Sequence, residues 1–109
     1  MNKKLLSKFI KADNFYILSM INAKMRDIIC LKKENRSFSQ RINHLHQKRG
    51  EYIKVIKNNN GNKDTLREYY KKIDSNINLQ VLLAFLQKQN SKLILKHRNK
   101  IQQLRKELV

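Results

Sequence analysis

Residues 28–56 read IICLKKENRSFSQRINHLHQKRGEYIKVI. Two columns run through this stretch with spacings that alternate between three and four. Ile28, Asn35, Ile42, Arg49 and Ile56 form one column, and Leu31, Phe38, Leu45 and Tyr52 form the other. Residues so spaced stay on one side of an α-helix and mark the seam along which it pairs with another helix. Asn35 and Arg49 interrupt the first column, and a polar residue at such a position fixes register at a cost in stability. Gly50, just after Lys48 and Arg49, has the chemistry of a helix C-terminus. The columns nevertheless continue to Tyr52 and Ile56, so the reading is one continuous helix with a soft spot.

Toward the N-terminus the apolar residues become denser: Phe15, Tyr16, Ile17, Leu18, Met20, Ile21 and Met25. They occupy more than one helix face, which calls for cover by a third element or a partner. Toward the C-terminus the seam meets Asn58, Asn59, Asn60, Gly61 and Asn62. Asn and Gly accept turn conformations that other residues resist, so these residues read as a loop. Thr65 and Glu68 then match a capping box, with Asp64 as the rival N-cap.

Beyond the loop, Leu66, Tyr70, Ile73 and Ile77 form a stripe. The run Val81, Leu82, Leu83, Ala84, Phe85 and Leu86 follows, then Leu93, Ile94, His97, Ile101, Leu104 and Leu108. Read from the apolar residues, the register slips between residues 76 and 79 and again near Asn90. Asp74, Ser75 and Asn76 offer a place for a kink, because short polar side chains compete for backbone bonds. Two helices of nearly equal length are expected, about 15–57 and 65–108, joined by a loop at 58–64. Each would span about 65 Å at 1.5 Å per residue. The fold class is therefore all-α, an antiparallel coiled-coil-like helical hairpin occupying residues 13–109. Residues 1–12 form a basic N-terminal arm or a short third helix.

Composition agrees. Of 109 residues, 40% are hydrophobic and 30% charged, with no Pro and only two Gly. Few breakers and many Lys, Leu, Gln, Ile and Asn favour helix over a sheet built on tight turns. Such a chain makes one small domain with a thin core. A single seam and many like charges make it marginally stable by itself, so a partner is expected to supply buried surface or counter-charge. No apolar run approaches the ~20 residues a membrane-spanning helix needs. Cys30 is the only cysteine, which excludes an intrachain disulfide and suits a reducing, intracellular compartment such as cytoplasm or an organelle matrix. Its neighbours Ile29 and Leu31 suggest a small core residue. The opening MNKKLLSKFIKA is basic and amphipathic, and suits either an ordinary arm or an organelle-import helix.

Charge is the strongest functional signal. The chain carries 25 Lys and Arg against 8 Asp and Glu, a formal net charge of +17. Residues 1–57 hold 14 basic and 4 acidic side chains, and residues 58–109 hold 11 and 4. The charge thus coats the whole chain rather than forming a tail, as suits a protein embedded in nucleic acid. Lys88, Lys92, Lys96 and Lys100 stand four apart, where like charges on a helix repel. Such a ladder is useful against a polyanion, where each lysine replaces a counterion at a phosphate. Each step turns it by about 40° at 3.6 residues per turn, so it follows a shallow spiral. The candidate phosphate-binding residues are Lys32, Lys33, Arg36, Arg41, Lys48 and Arg49 on the first helix. On the second they are Lys88, Lys92, Lys96, Arg98, Lys100, Arg105 and Lys106. Tyr16, Tyr52, Tyr69 and Tyr70 can stack on bases, but aromatic residues at helical spacing more often pack in a core. One of Tyr69 and Tyr70 must face the paired helix.

Signals for catalysis are thin. His44 and His46 point to different faces and His97 is distant, so no metal or cofactor site is expected. The eight acids are scattered, and no phosphate-binding glycine loop or nucleophile elbow is present. Arg41 and His46 form an R-x4-H string that resembles the catalytic motif of HEPN-type RNases. The resemblance covers that string alone, and it implies a phosphate contact for Arg41 and an acid–base role for His46. Without further support for it, the chain reads as a non-enzyme. The expected function is non-catalytic RNA binding, as a small structural or accessory subunit of a ribosome-like ribonucleoprotein. No known RNA-binding module is present, but a long basic hairpin can lie along A-form RNA, and no helix-turn-helix signature points to DNA, so RNA is favoured over DNA. The alternative is a coiled-coil scaffold or assembly subunit that binds helical proteins or an acidic surface such as a microtubule.

Overall fold

The structure, a computed structural model, describes residues 3–59 and 62–109, with side chains for Lys3 and from Ile10 onward. Two α-helices account for nearly all of it: α1, Lys3–Asn58, and α2, Lys63–Lys106. The chain is an antiparallel helical hairpin. Residues 3–12 continue α1 rather than forming a separate short helix. Gly50 passes within α1 without a break or a positive φ. Asp74, Ser75 and Asn76 likewise lie inside unbroken α2. Of the loop residues, Asn60 and Gly61 lie outside the described residues.

Helix α2 starts earlier than the capping box implied, and the cap is Asn62. Its Oδ1 accepts from the backbone N–H of Asp64 at 3.2 Å and of Thr65 at 3.3 Å. Its carbonyl accepts the first helical bond from Leu66 N at 3.0 Å. Asn is among the strongest N-caps, and here it adds Lys63 and Asp64 to the first turn. Glu68, freed from capping, instead pairs with Lys72 at 3.5 Å.

The chain divides into two compact units, one of Met1–Lys33 with Asn90–Val109 and one of Glu34–Gln89. In the first, Ile21, Ile28, Ile94, Ile101 and Leu104 are buried together, with Ile17, Met20, Leu31 and Leu108 packed against them. Burying each of the first five is worth roughly 1.5–3 kcal/mol, and the half-buried four less. Asn14 fastens the open end of the pair: its Nδ2 donates to the Val109 carbonyl at 2.9 Å, and its Oδ1 accepts from Val109 N at 3.1 Å.

In the second unit Leu83 is the most deeply buried side chain, 2% exposed. The expected seam residues Asn35, Phe38, Ile42, Leu45, Tyr52 and Ile56 are all half-buried, as is Arg49. Amides join the helices beside the hydrocarbon. Asn76 Nδ2 donates to the Leu45 carbonyl at 2.8 Å, while Gln80 Nε2 donates to Asn76 Oδ1 at 2.6 Å. Gln87 Nε2 donates to the Asn35 carbonyl at 2.9 Å and to Ser39 Oγ at 2.6 Å.

These amides correct the expected slip of register. On α2, residues 66, 69, 73, 76, 80, 83, 87, 90, 94, 97, 101, 104 and 108 alternate by three and four throughout, and each is buried or half-buried. The register never slips; it passes through Asn76, Gln80, Gln87 and Asn90. Buried amides are tolerated at a seam when hydrogen-bonded, and a pattern read from apolar residues alone misses them. The expected stripe was therefore wrong in part: Tyr70 and Ile77 face outward, while Tyr69 and Asn76 face α1.

Candidate polyanion interface

The basic residues named from sequence fall on several helix faces. On α1, Lys32, Lys33, Arg36 and Arg41 are exposed, whereas Lys48 and Arg49 are half-buried. Lys48 Nζ pairs with Glu51 at 3.4 Å, and an Arg49 Nη donates to His46 Nδ1 at 3.1 Å. His46 thus engages Arg49, its neighbour one turn on. Arg41 lines a separate groove with His44 and Leu79. On α2, Lys88, Lys92, Lys96, Arg98, Lys100, Arg105 and Lys106 are all exposed. The Lys48–Glu51 and Lys72–Glu68 ion pairs each join residues one turn apart on one helix. With 25 basic side chains against 8 acidic ones, most of the positive charge has no carboxylate to answer it and faces solvent. Exposed pairs of this kind are worth about 0–1 kcal/mol each and leave the positive field nearly intact.

One groove in the first unit concentrates that charge. Lys24 from α1 meets Lys96, His97 and Lys100 from α2, with Asn99 and Gln103 adding amides. No carboxylate lines it. Ammonium groups, amides and an imidazole are the side chains that bind phosphate oxygens. Lys24 was missed from the sequence because the seam was read from Ile28 onward. The same three-four spacing, carried back from Leu31, places Lys24 at the seam, where it is half-buried and lines the groove with residues of α2.

The tyrosines divide evenly. Tyr52 and Tyr69 meet edge to face, with ring centres 5.8 Å apart and planes at 61°. Lys72 Nζ lies 4.6 Å from the centre of the Tyr69 ring. These two rings pack between the helices. Tyr16 and Tyr70 point outward, which departs from the expectation that most would pack. Cys30 is also exposed rather than in the core, because the seam takes Ile28 and Leu31 and turns residue 30 away.

The outer faces are not purely polar. Phe15 is 74% exposed, and Leu18, Met25 and Ile29 are exposed on the same helix. On α2, Val81 is 64% and Phe85 54% exposed, with Ile77 and Leu82 beside them. Those α2 residues fall within 73–87, the longest part of the chain without Lys or Arg.

Among the described residues no three His, Cys, Asp or Glu side chains gather to hold a metal ion. No described helix is long and apolar enough to cross a membrane. Comparison with protein-family models, curated proteins and solved structures returns no match for this chain.

Proposed function

We propose that the protein is a non-catalytic RNA-binding subunit of a larger, ribosome-like ribonucleoprotein, in which its Lys and Arg faces lie along the phosphate backbone. The observation that carries this reading is the groove formed by Lys24, Lys96, His97 and Lys100, lined by no acid, within a chain of net charge +17. Cations spread over several faces suit a partner that surrounds the hairpin, as folded RNA does. They give affinity without reading sequence, because phosphate contacts position a protein and base contacts specify. Tyr16 and Tyr70 are the rings available for stacking on unpaired bases.

A second reading, a coiled-coil assembly subunit that joins helical proteins or an acidic protein surface, is favoured by a separate observation. Phe15, Ile29, Val81 and Phe85 stand exposed on faces away from the seam, where a hairpin serving only a polyanion has no use for them. The deciding experiment measures affinity for a structured RNA, a matched DNA duplex and tubulin, each at two salt concentrations. Tight binding that prefers RNA and falls steeply with salt supports the first reading. Binding to tubulin in preference to RNA replaces it with the second. Weak binding to all three rejects the polyanion reading and leaves the charge as a solubility device.

A further inference from the structure

The outer face of α2 in the second unit has a pattern that maps onto itself. Asp74, Ile77, Val81, Phe85 and Lys88 lie at offsets of −7, −4, 0, +4 and +7 from Val81. At 3.6 residues per turn these offsets keep all five near one side of the helix. All five are exposed. Among the described residues neither Asp74 nor Lys88 takes part in an ion pair. Turning such a helix end over end about Val81 places Phe85 opposite Ile77 and Lys88 opposite Asp74. The apolar centre meets an apolar centre, and each end meets the opposite charge.

We propose that this face is a self-association surface, on which a second copy of the chain packs antiparallel about a two-fold axis through Val81. Two features favour a second copy over an unrelated occupant. The pattern is self-complementary in both shape class and charge, which is what an isologous interface requires. All of it but Lys88 also sits in the longest stretch free of Lys and Arg, and Lys88 falls opposite Asp74, so two chains of +17 can approach here without direct opposition of cations. Ile77, Val81 and Phe85 form the centre, and Asp74 and Lys88 set direction, since a parallel arrangement would oppose like charges. Three apolar side chains and two charges a side make a face small beside the ~800 Å² per partner of a standard interface, so weak association is expected.

Salt gives this association a signature opposite to phosphate binding. Screening weakens the mutual repulsion of two basic chains and so strengthens the dimer, whereas it weakens contact with a polyanion. The proposal does not depend on RNA binding, and its test contains no nucleic acid. Sedimentation equilibrium of the full chain, run from below to well above micromolar concentration at low and high salt, should show a monomer–dimer equilibrium that tightens with salt. Val81→Glu opposes two carboxylates at the axis and should abolish it. Asp74→Lys should raise the dissociation constant about tenfold by opposing lysines at both ends. Lys88→Asp should do the same by opposing aspartates. The chain carrying both exchanges should recover the original affinity, and a mixture of the two single variants should form heterodimers. Far-UV circular dichroism of each variant checks that the hairpin is intact; the charge exchanges lie on an exposed face and do not touch the seam. A monomer at every concentration and salt overturns the proposal. A dimer indifferent to Val81→Glu, or one weakened by the single exchanges but not restored by the double, overturns it as well. The first of those results leaves the face to a different protein's helix.

Discussion

Leu82 and Leu83 are adjacent, chemically identical and opposite in situation, which makes them a test of the register. Leu83 is 2% exposed at the seam, and Leu82 is 51% exposed on the outer face. Leu83→Ala forfeits about 2.4 kcal/mol of transfer free energy, at ~0.8 kcal/mol per buried carbon. A cavity term adds to this, at the low end of its range because the flanks of a two-helix seam are open to collapse and to water; a total of about 3 kcal/mol results. A domain of this size has roughly 5–15 kcal/mol in all, so this single change removes a large share. At about 4–8 °C per kcal/mol the midpoint falls by roughly 12–24 °C. Leu82→Ala gives up about half the transfer term and regains a little helix propensity, for a net of about 1 kcal/mol or less. Thermal melts by far-UV circular dichroism, at protein concentrations too low for self-association, measure both. If Leu82→Ala costs as much as Leu83→Ala, or more, then Asn76, Gln80 and Gln87 are not in the seam and the register described here is wrong.

Replacing Lys88, Lys92, Lys96 and Lys100 by Ala should reduce the slope of log K against log salt for a structured RNA by up to about 3–4, near one for each phosphate no longer neutralised, with helix content unchanged. Lys24→Leu should raise the melting temperature, by exchanging an ammonium at the seam for hydrocarbon, and weaken RNA binding; a parallel change in both would separate Lys24 from the groove. Asn62→Ala should cost about 1 kcal/mol in denaturant unfolding and Thr65→Ala clearly less, because Asn62 is the cap. Gly50→Ala should stabilise α1 by about 0.5–1 kcal/mol in the same assay, since no atom lies within 4 Å of the added Cβ.

The fold was legible because α1 carries its seam in apolar residues. Ile28, Leu31, Phe38, Ile42, Leu45, Tyr52 and Ile56 announce it, and the Asn-rich loop marks where the chain turns back. Helix α2 was legible as a helix but not in register. Its densest apolar run, residues 81–86, contributes Leu83 to the seam and turns Val81, Leu82 and Phe85 outward. Periodicity weights residues by hydropathy, whereas the seam selects for whatever its partner can satisfy. Leu45 and Asn35 offer carbonyls, and Asn76 and Gln87 answer them. For the same reason the basic face was only partly visible. The exposed lysines of α2 follow from spacing, but Lys24 joins them only through pairing of α1 with α2. Arg49, read both as a seam residue and as a phosphate ligand, is half-buried and engaged with His46.

The amide seam also bears on coexistence. A cell holds many helices with leucine-rich seams, and a hairpin relying on hydrocarbon alone would trade partners with them. An intruding helix still offers main-chain carbonyls, as Leu45 and Asn35 do, but one without a hydroxyl in the place of Ser39 leaves the second Gln87 bond unmade, at about 1 kcal/mol. The seam thus carries a small element of discrimination, held in side-chain pairs such as Gln87 with Ser39 rather than in its hydrocarbon.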